Sequence, residues 1–417
     1  MHSVLSRLLK WRDNVLSLVV FIPNLTPFRE LFSSEIFPWA FFYSLRRNLK
    51  FNALFIIFLA YMFVSLIAFQ GLANNFMSSV RSVMALLNAS LIFIAIQNVD
   101  SRRFEMINRG FIVVAVFNFI LIALQSLEAI PKFIEPAIQN FIPRFNVGSW
   151  GSGRGVSGLF SEPSYLSISF QYFVIYLLYI YQVSFSKLLG IGILFLLVFT
   201  NLFVIKSVTG TIMSLVIILG LMKRKYLLLF SALVVIFSVG LYLLLRNSEN
   251  LPRSLEVVFS FMDNRDYQDP LPVLLEQSGF RLVSIWSSYS FGVQNLLGSG
   301  IGNWPAASVS AMESIGVPAE SISFFASITG NDYFGVRPTS FAAGLMLELG
   351  LVGLIIYTAS FVIYFKNISF SDNVHFRLIF LIFIFNFFVL GTIGDPLPFA
   401  VLSMSLRRYY LLKDAVG

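Results

Sequence analysis

The residues best able to do chemistry gather in one stretch, Arg154-Gly-Val-Ser-Gly-Leu-Phe-Ser-Glu-Pro-Ser-Tyr165. Gly148, Gly151, Gly153, Gly155 and Gly158 make a flexible approach whose amides can hold an anion. Arg154 adds a permanently charged fork suited to phosphate. Glu162 stands directly before Pro163, at a helix start where the positive end of the dipole favours a carboxylate. The same Ser161-Glu-Pro-Ser also reads as plain helix punctuation.

Three further clusters carry charge or flat rings. Gly279-Phe-Arg281 is followed by Trp286 and by Gly298-Ser-Gly-Ile-Gly-Asn-Trp304. Arg281 can pair with phosphate, while Trp286 and Trp304 offer faces to sugar rings or anchor at a membrane interface. Arg337-Pro-Thr-Ser340 precedes an apolar run that contains Glu348, and a carboxylate inside such a run needs a wet cavity or an ionic partner. Lys206 lies in a short turn, Ser207-Val-Thr-Gly210, that needs no lysine, which favours an anion partner. Asp395, in Gly394-Asp-Pro396, reads as a solvated turn residue.

The elements that must position these groups are membrane helices. Hydrophobic residues make up 57% of the 417 and charged ones 12%, about half the roughly 25% of a soluble domain. The apolar segments, such as Leu54–Phe69 and Leu188–Val204, are continuous rather than alternating, so the expectation is all-α and not a barrel. With about 20 apolar residues per crossing, twelve spans are expected. They fall near 15–28, 30–45, 51–70, 82–98, 110–127, 165–183, 187–205, 208–222, 226–245, 340–365, 377–393 and 396–407. The chain 1–417 is then one integral membrane domain with a medium outer loop at 128–164 and a long one at 246–339. Gly279–Ser290, with Leu282, Ile285, Trp286 and Tyr289 at helical spacing, reads as an amphipathic surface helix within the long loop. No internal repeat and no cleavable signal peptide are evident.

Placing the charges orients the chain. With a cytoplasmic N-terminus, inner segments hold 18 of the 29 basic residues but five of the 21 acids, the asymmetry expected of an inner face. The net charge of +8 is therefore a topology signal, and no nucleic-acid partner is expected. There is no cysteine, and both histidines, His2 and His375, fall on the inner side. That leaves the outer side no Ser-His-Asp triad and no zinc site. No Asp-x-Asp pair marks a sugar-nucleotide metal site, and neither metal nor cofactor is expected. Arginines, a lysine, carboxylates and aromatics remain, a set that suits a lipid-diphosphate leaving group. Such a group departs once its charge is neutralised.

At this point the chain resembles the Wzy-type O-antigen and capsule polymerases, within the wider polymerase and O-antigen ligase superfamily. The resemblance rests on Arg154 and Gly158-Leu-Phe-Ser-Glu-Pro-Ser164, Lys206-Ser207 with Thr209-Gly210, Gly279-Phe-Arg281 with Trp286 and Gly298-Ser-Gly-Ile-Gly302, and Arg337-Pro-Thr-Ser340 with Glu348-Leu-Gly350. It implies a metal-independent membrane glycosyltransferase of the C class in the bacterial inner membrane, with both termini cytoplasmic and the active face periplasmic. Its substrates would be undecaprenyl-diphosphate-linked oligosaccharide repeat units, met in membrane lipid, with a chain-length regulator as a further partner. Glu162, Arg281 and Arg154 would be catalytic; Lys206, Arg337, Ser340, Glu348, Trp286 and Trp304 would bind substrate. Superfamily ligases carry a histidine ahead of the Glu-Leu-Gly stretch, where this chain reads Arg337-Pro-Thr-Ser340. That departure favours polymerase over ligase and leaves the base open. A ligase joining glycan to lipid A core and a lipid-linked oligosaccharide flippase are the alternatives.

Overall fold

Apolar runs of this length fold as helices because in lipid only a helix satisfies its own backbone, and the computed structural model is helical throughout its described residues. It describes residues 13–22, 24–25, 38–45, 47, 49–69, 76–142, 145, 155–183, 188–221, 280–317, 337–366, 368, 373–391 and 393–414. After a helical segment at 13–19 come α1 (Pro38–Leu45), α2 (Ala53–Ala68), α3 (Phe76–Gln97), α4 (Ser101–Ser126) and the short α5 (Glu135–Gln139). Then follow α6 (Pro163–Ile180), α7 (Leu188–Phe199, prolonged by a π-helical turn, Thr200–Val204) and α8 (Val208–Leu221). The remainder is α9 (Phe280–Gln294), α10 (Trp304–Ser314), α11 (Phe341–Val362), α12 (Val374–Phe388) and α13 (Pro396–Asp414).

Local sequence starts several of these helices. Asn52, Asp100, Ser340 and Asn373 each accept a hydrogen bond from the amide three residues on, satisfying a donor the helix itself cannot. Glu162 is extended, and Pro163 opens α6 behind it, as the Glu-Pro pair implies.

Helices α3, α4, α6 and the run from Phe341 to Phe365 are long and apolar enough to cross a membrane. Shorter apolar helices cover Ala53–Ala68, Gly192–Val204, Val208–Leu221 and Val374–Phe388. The outward faces are apolar too: Val113, Phe117, Ile120 and Leu124 of α4 are exposed. The protein is therefore a membrane-embedded helical bundle. The described helices fall at most of the expected spans; among the described residues four are both long and apolar enough for a full crossing, which does not establish the expected twelve. The expected span at 226–245 lies outside the described residues, as does most of the long loop.

Two ends can be told apart. At the basic end the close of α3 and the turn after it meet the middle of α13: Gln97 donates to Ser403 O, and Arg407 to Val99 O. Arg408 donates to Ile180 O there, and His375 Nε2 contacts Val183 O. The opposite end carries the start of α6 and the Ile205–Ser207 turn. Between the ends lies an aromatic core in which Phe341, Tyr357, Phe387 and Phe399 stack or meet at a tilt.

The apolar run of α11 is broken at Gly350, where φ is 67°. A break inside a membrane helix strands amides and carbonyls, and here the loop after α9 supplies their partners. Val352 N donates to Leu296 O, while Ser299 N and Gly300 N donate to Leu347 O and Glu348 O. The approach is so close that a Cβ on Gly350 would lie 2.2 Å from Leu296 O, and one on Gly298 2.5 Å from Gly350 N. The glycine triplet is thus a backbone plug for α11.

This geometry corrects the surface-helix expectation. Helix α9 packs along α11 and ends in the break; Leu282 and Trp286 face outward, while Ile285 is buried and Tyr289 donates to Phe388 O. The apolar face read from Leu282, Ile285, Trp286 and Tyr289 therefore divides between the bundle exterior and α11. A helix with apolar residues on both sides belongs within the bundle wall rather than on its surface.

Candidate functional site

The Glu162 loop is pinned from below by α4. Two buried amides seven residues apart, Asn118 and Gln125, accept from Leu159 N and Gly158 N at 2.9 and 2.8 Å. Gly158 sits at φ 57°, and Val156 N reaches Val204 O beside the next hairpin. The motif is thereby presented at a fixed height, with Glu162 just above the first turn of α6.

Arg281, at the start of α9, reaches that carboxylate: Arg281 Nη2 lies 3.8 Å from Glu162 Oε2. The side chains are 38% and 28% exposed, so the pair remains open to a ligand. Ser164 Oγ also lies 3.4 Å from Glu162 Oε2. Two segments read separately in the sequence therefore meet at one end of the bundle.

Lys206 occupies the neighbouring turn between α7 and α8, with a left-handed φ of 53°. A polar column fixes that turn to α6: Ser207 Oγ donates to Ser167 Oγ, and Gln171 Nε2 donates to Ser214 Oγ and Gly210 O. Glu162 and Lys206 are consequently carried by elements locked together below them.

Arg337, Glu348 and Trp304 meet elsewhere, in a buried cluster. Arg337 Nη2 lies 2.5 Å from Glu348 Oε1, with side chains 5% and 0% exposed. Ser82 Oγ accepts from Arg337 and donates to the same carboxylate, while Gly302 N donates to the other oxygen. The guanidinium also lies over the Trp304 ring, 5.5 Å from its centroid. This arrangement uses Glu348 to hold the glycine loop against α3 and α11, rather than presenting it to a ligand. Ser340 is likewise occupied: it caps α11 and donates to the carbonyls of Phe387 and Phe388. Trp286 is exposed on the outer flank of α9. Arg154 lies outside the described residues.

Asp395 is not a solvated turn residue. It is 8% exposed, and the connector holding it dips into the bundle. Gly391 N donates to Thr339 O, and Gly394 O accepts from Asn88, about midway along α3. Nothing in Gly-Asp-Pro separates a turn in water from one folded inward. Asn118 and Gln125 did carry a signal: two amides seven apart mark one polar edge on an otherwise apolar helix.

Among the described residues, no group of three or more His, Cys, Asp or Glu side chains is placed to hold a metal. The arrangement offers an open carboxylate–arginine pair beside a lysine-bearing turn, which can orient a hydroxyl and receive an anion.

Fold and site together define a membrane-embedded helical protein with a half-exposed acid–arginine pair at one end. Set against protein-family models, curated proteins and solved structures, the chain matches none.

Proposed function

We propose that the protein is a polysaccharide polymerase, transferring a growing glycan from undecaprenyl diphosphate onto the next lipid-linked repeat unit at the periplasmic face. The observation that carries this reading is the meeting of Glu162 and Arg281 at 3.8 Å, both accessible, in a membrane protein. In the reaction the acceptor hydroxyl attacks the anomeric carbon of the donor sugar. A carbon–oxygen bond forms there, and the bond from that carbon to the diphosphate oxygen breaks. Glu162 takes the hydroxyl proton, and the leaving electron pair goes to the diphosphate. Arg281 meets the charge that develops, with Lys206 and Arg154 assisting.

The partly exposed pair suits this division of labour. Arg281 is close enough to align the Glu162 carboxylate and accessible enough to turn to a diphosphate when one enters. Arg337 and Glu348 act through structure in this scheme, fixing the loop that follows α9.

The test is the glycan pattern of a deletion strain complemented with the wild-type chain or with Arg281→Ala. A polymerase gives single-repeat glycan in the deletion and in the variant, with long chains restored by wild type. A bare core in the deletion strain would point to a ligase. Retained long chains with Arg281→Ala would overturn the assignment of this site.

A further inference from the structure

Helix α4 ends at a level that its own outward face defines. From Gly110 to the C-cap Leu127 the chain carries no charge, with Arg109 before that run and Glu128 after it. As helix, those eighteen residues span about 27 Å, close to the roughly 30 Å of a bilayer core. The exposed apolar side chains keep the helical repeat along the run, from Val113 through Phe117, Ile120 and Leu124 to Leu127. Leu127 therefore stands at the boundary between hydrocarbon and headgroups.

The backbone stops the helix at that level. Glu128 takes a left-handed φ of 53°. Its amide donates to Gln125 O and that of Ala129 to Leu124 O, the pair of bonds that closes a helix and turns the chain aside. Pro131 follows, and a 3-10 turn (Lys132–Ile134) leads into α5. The chain then folds back: Gln139 Nε2 donates to Phe145 O, and the amides of Phe141 and Ile142 both donate to Ile138 O.

This short segment is apolar on two sides. Ile130 and Ile138 pack against the bundle core, and Ile142 and Phe145 are buried in it. On the other side Leu127 is 77%, Phe133 81% and Phe141 54% exposed. Large apolar side chains gathered outward in this way mark a surface that meets something other than water. Glu128, Lys132 and Asn140, exposed among them, have the polarity and reach for headgroups.

We propose that residues 127–142 form an interfacial anchor, with Leu127, Phe133 and Phe141 seated where headgroups meet acyl chains in the leaflet at that end. Lipid is the occupant because the exposed face starts on the lipid-facing flank of α4, at Leu124 and Leu127, and leaves it at the depth where a bilayer core ends. The anchor bears on the neighbouring loop. Gln125, in the last turn of α4, accepts from Gly158 N, so seating this end of α4 sets the height of the Glu162 loop against the headgroups. The anchor rests on the embedded bundle alone and stands apart from the polymerase reading.

The chain has no cysteine, so a single introduced thiol reports one place. Phe133→Cys and Phe141→Cys, each carrying an NBD fluorophore, are measured in the full chain in lipid nanodiscs. Ile120→Cys, about 10 Å further into the core along α4, is the deep reference, and Arg102→Cys, exposed at the basic end, the aqueous one. The quenchers are a lipid nitroxide near the glycerol end of the acyl chain, one near its tip, and iodide in water. Both labels should emit to the blue of the one at position 102 and be quenched most by the shallow nitroxide, while the label at position 120 responds most to the deep one. Iodide quenching equal to that at position 102 would overturn the proposal and leave the face in water, open to a protein partner. Strongest quenching by the deep nitroxide, or insensitivity to all three quenchers, would overturn it as well.

Discussion

Arg281 Nη2 and Glu162 Oε2 stand 3.8 Å apart, joined from the first turn of α9 and the residue before α6. Neither segment positions the other through sequence proximity. Asn118 and Gln125 fix the height of the Glu162 loop, while the plug in α11 anchors the far end of α9.

Arg281→Ala should abolish long-chain glycan while leaving the protein level in the membrane unchanged. Losing one donor that stabilises developing charge typically slows a reaction by about 100- to 1,000-fold. Arg281→Lys keeps the charge without the fork and should fall between. Gel banding of extracted glycan, with immunoblotting of the protein, checks both.

Glu162→Gln separates a proton acceptor from a scaffold residue. The amide keeps the shape and can still accept from Ser164, so the helix start should survive. Loss of polymer with an unchanged melting temperature supports the proton-accepting role. Wild-type chain lengths over a pH series would reduce Glu162 to helix punctuation.

The Arg337–Glu348 pair should behave as buried structure. Glu348→Ala strands a guanidinium inside the bundle, at a cost of roughly 3–5 kcal/mol. Thermal unfolding in detergent should show a large loss, whereas Arg337→Met combined with Glu348→Met should recover much of it. Equal instability of the double and single variants would show that the pair does more than neutralise itself.

Gly350→Ala should destabilise by well over about 1 kcal/mol, because its φ is left-handed and its Cβ would collide with Leu296 O. Gly192→Ala is the control: nothing lies within 4 Å of that Cβ, and alanine favours the helix. A melting comparison with equal shifts for the two would contradict the close approach of the loop to α11.

How much of this could be read beforehand depended on the range of the interaction. Continuous apolar runs located α2, α6, α8 and α12 because helix formation in lipid is decided locally. Glu162-Pro163 marked the start of α6 for the same reason. The pairing of Gly298 with Gly350 is made between backbones, so no side-chain pattern announces it. The depth of Asp395 depends on α13 starting partway down the bundle, and the short apolar run at 396–407 was the one trace of that. Glu348 reads in the sequence as needing a wet cavity or an ionic partner and Arg337 as a substrate-binding residue; that each is the other's partner depends on a broken helix packed against a loop from another segment.

The plug in α11 also bears on biosynthesis. Residues 296–300 leave the ribosome before Gly350 does, so the filler exists before the gap. As the second half of α11 enters the bilayer, its stranded amides and carbonyls can be met at once by chain already inserted. Moving that loop downstream of α11, as a circular permutation would, exposes the break to hydrocarbon during synthesis and invites degradation of the nascent protein.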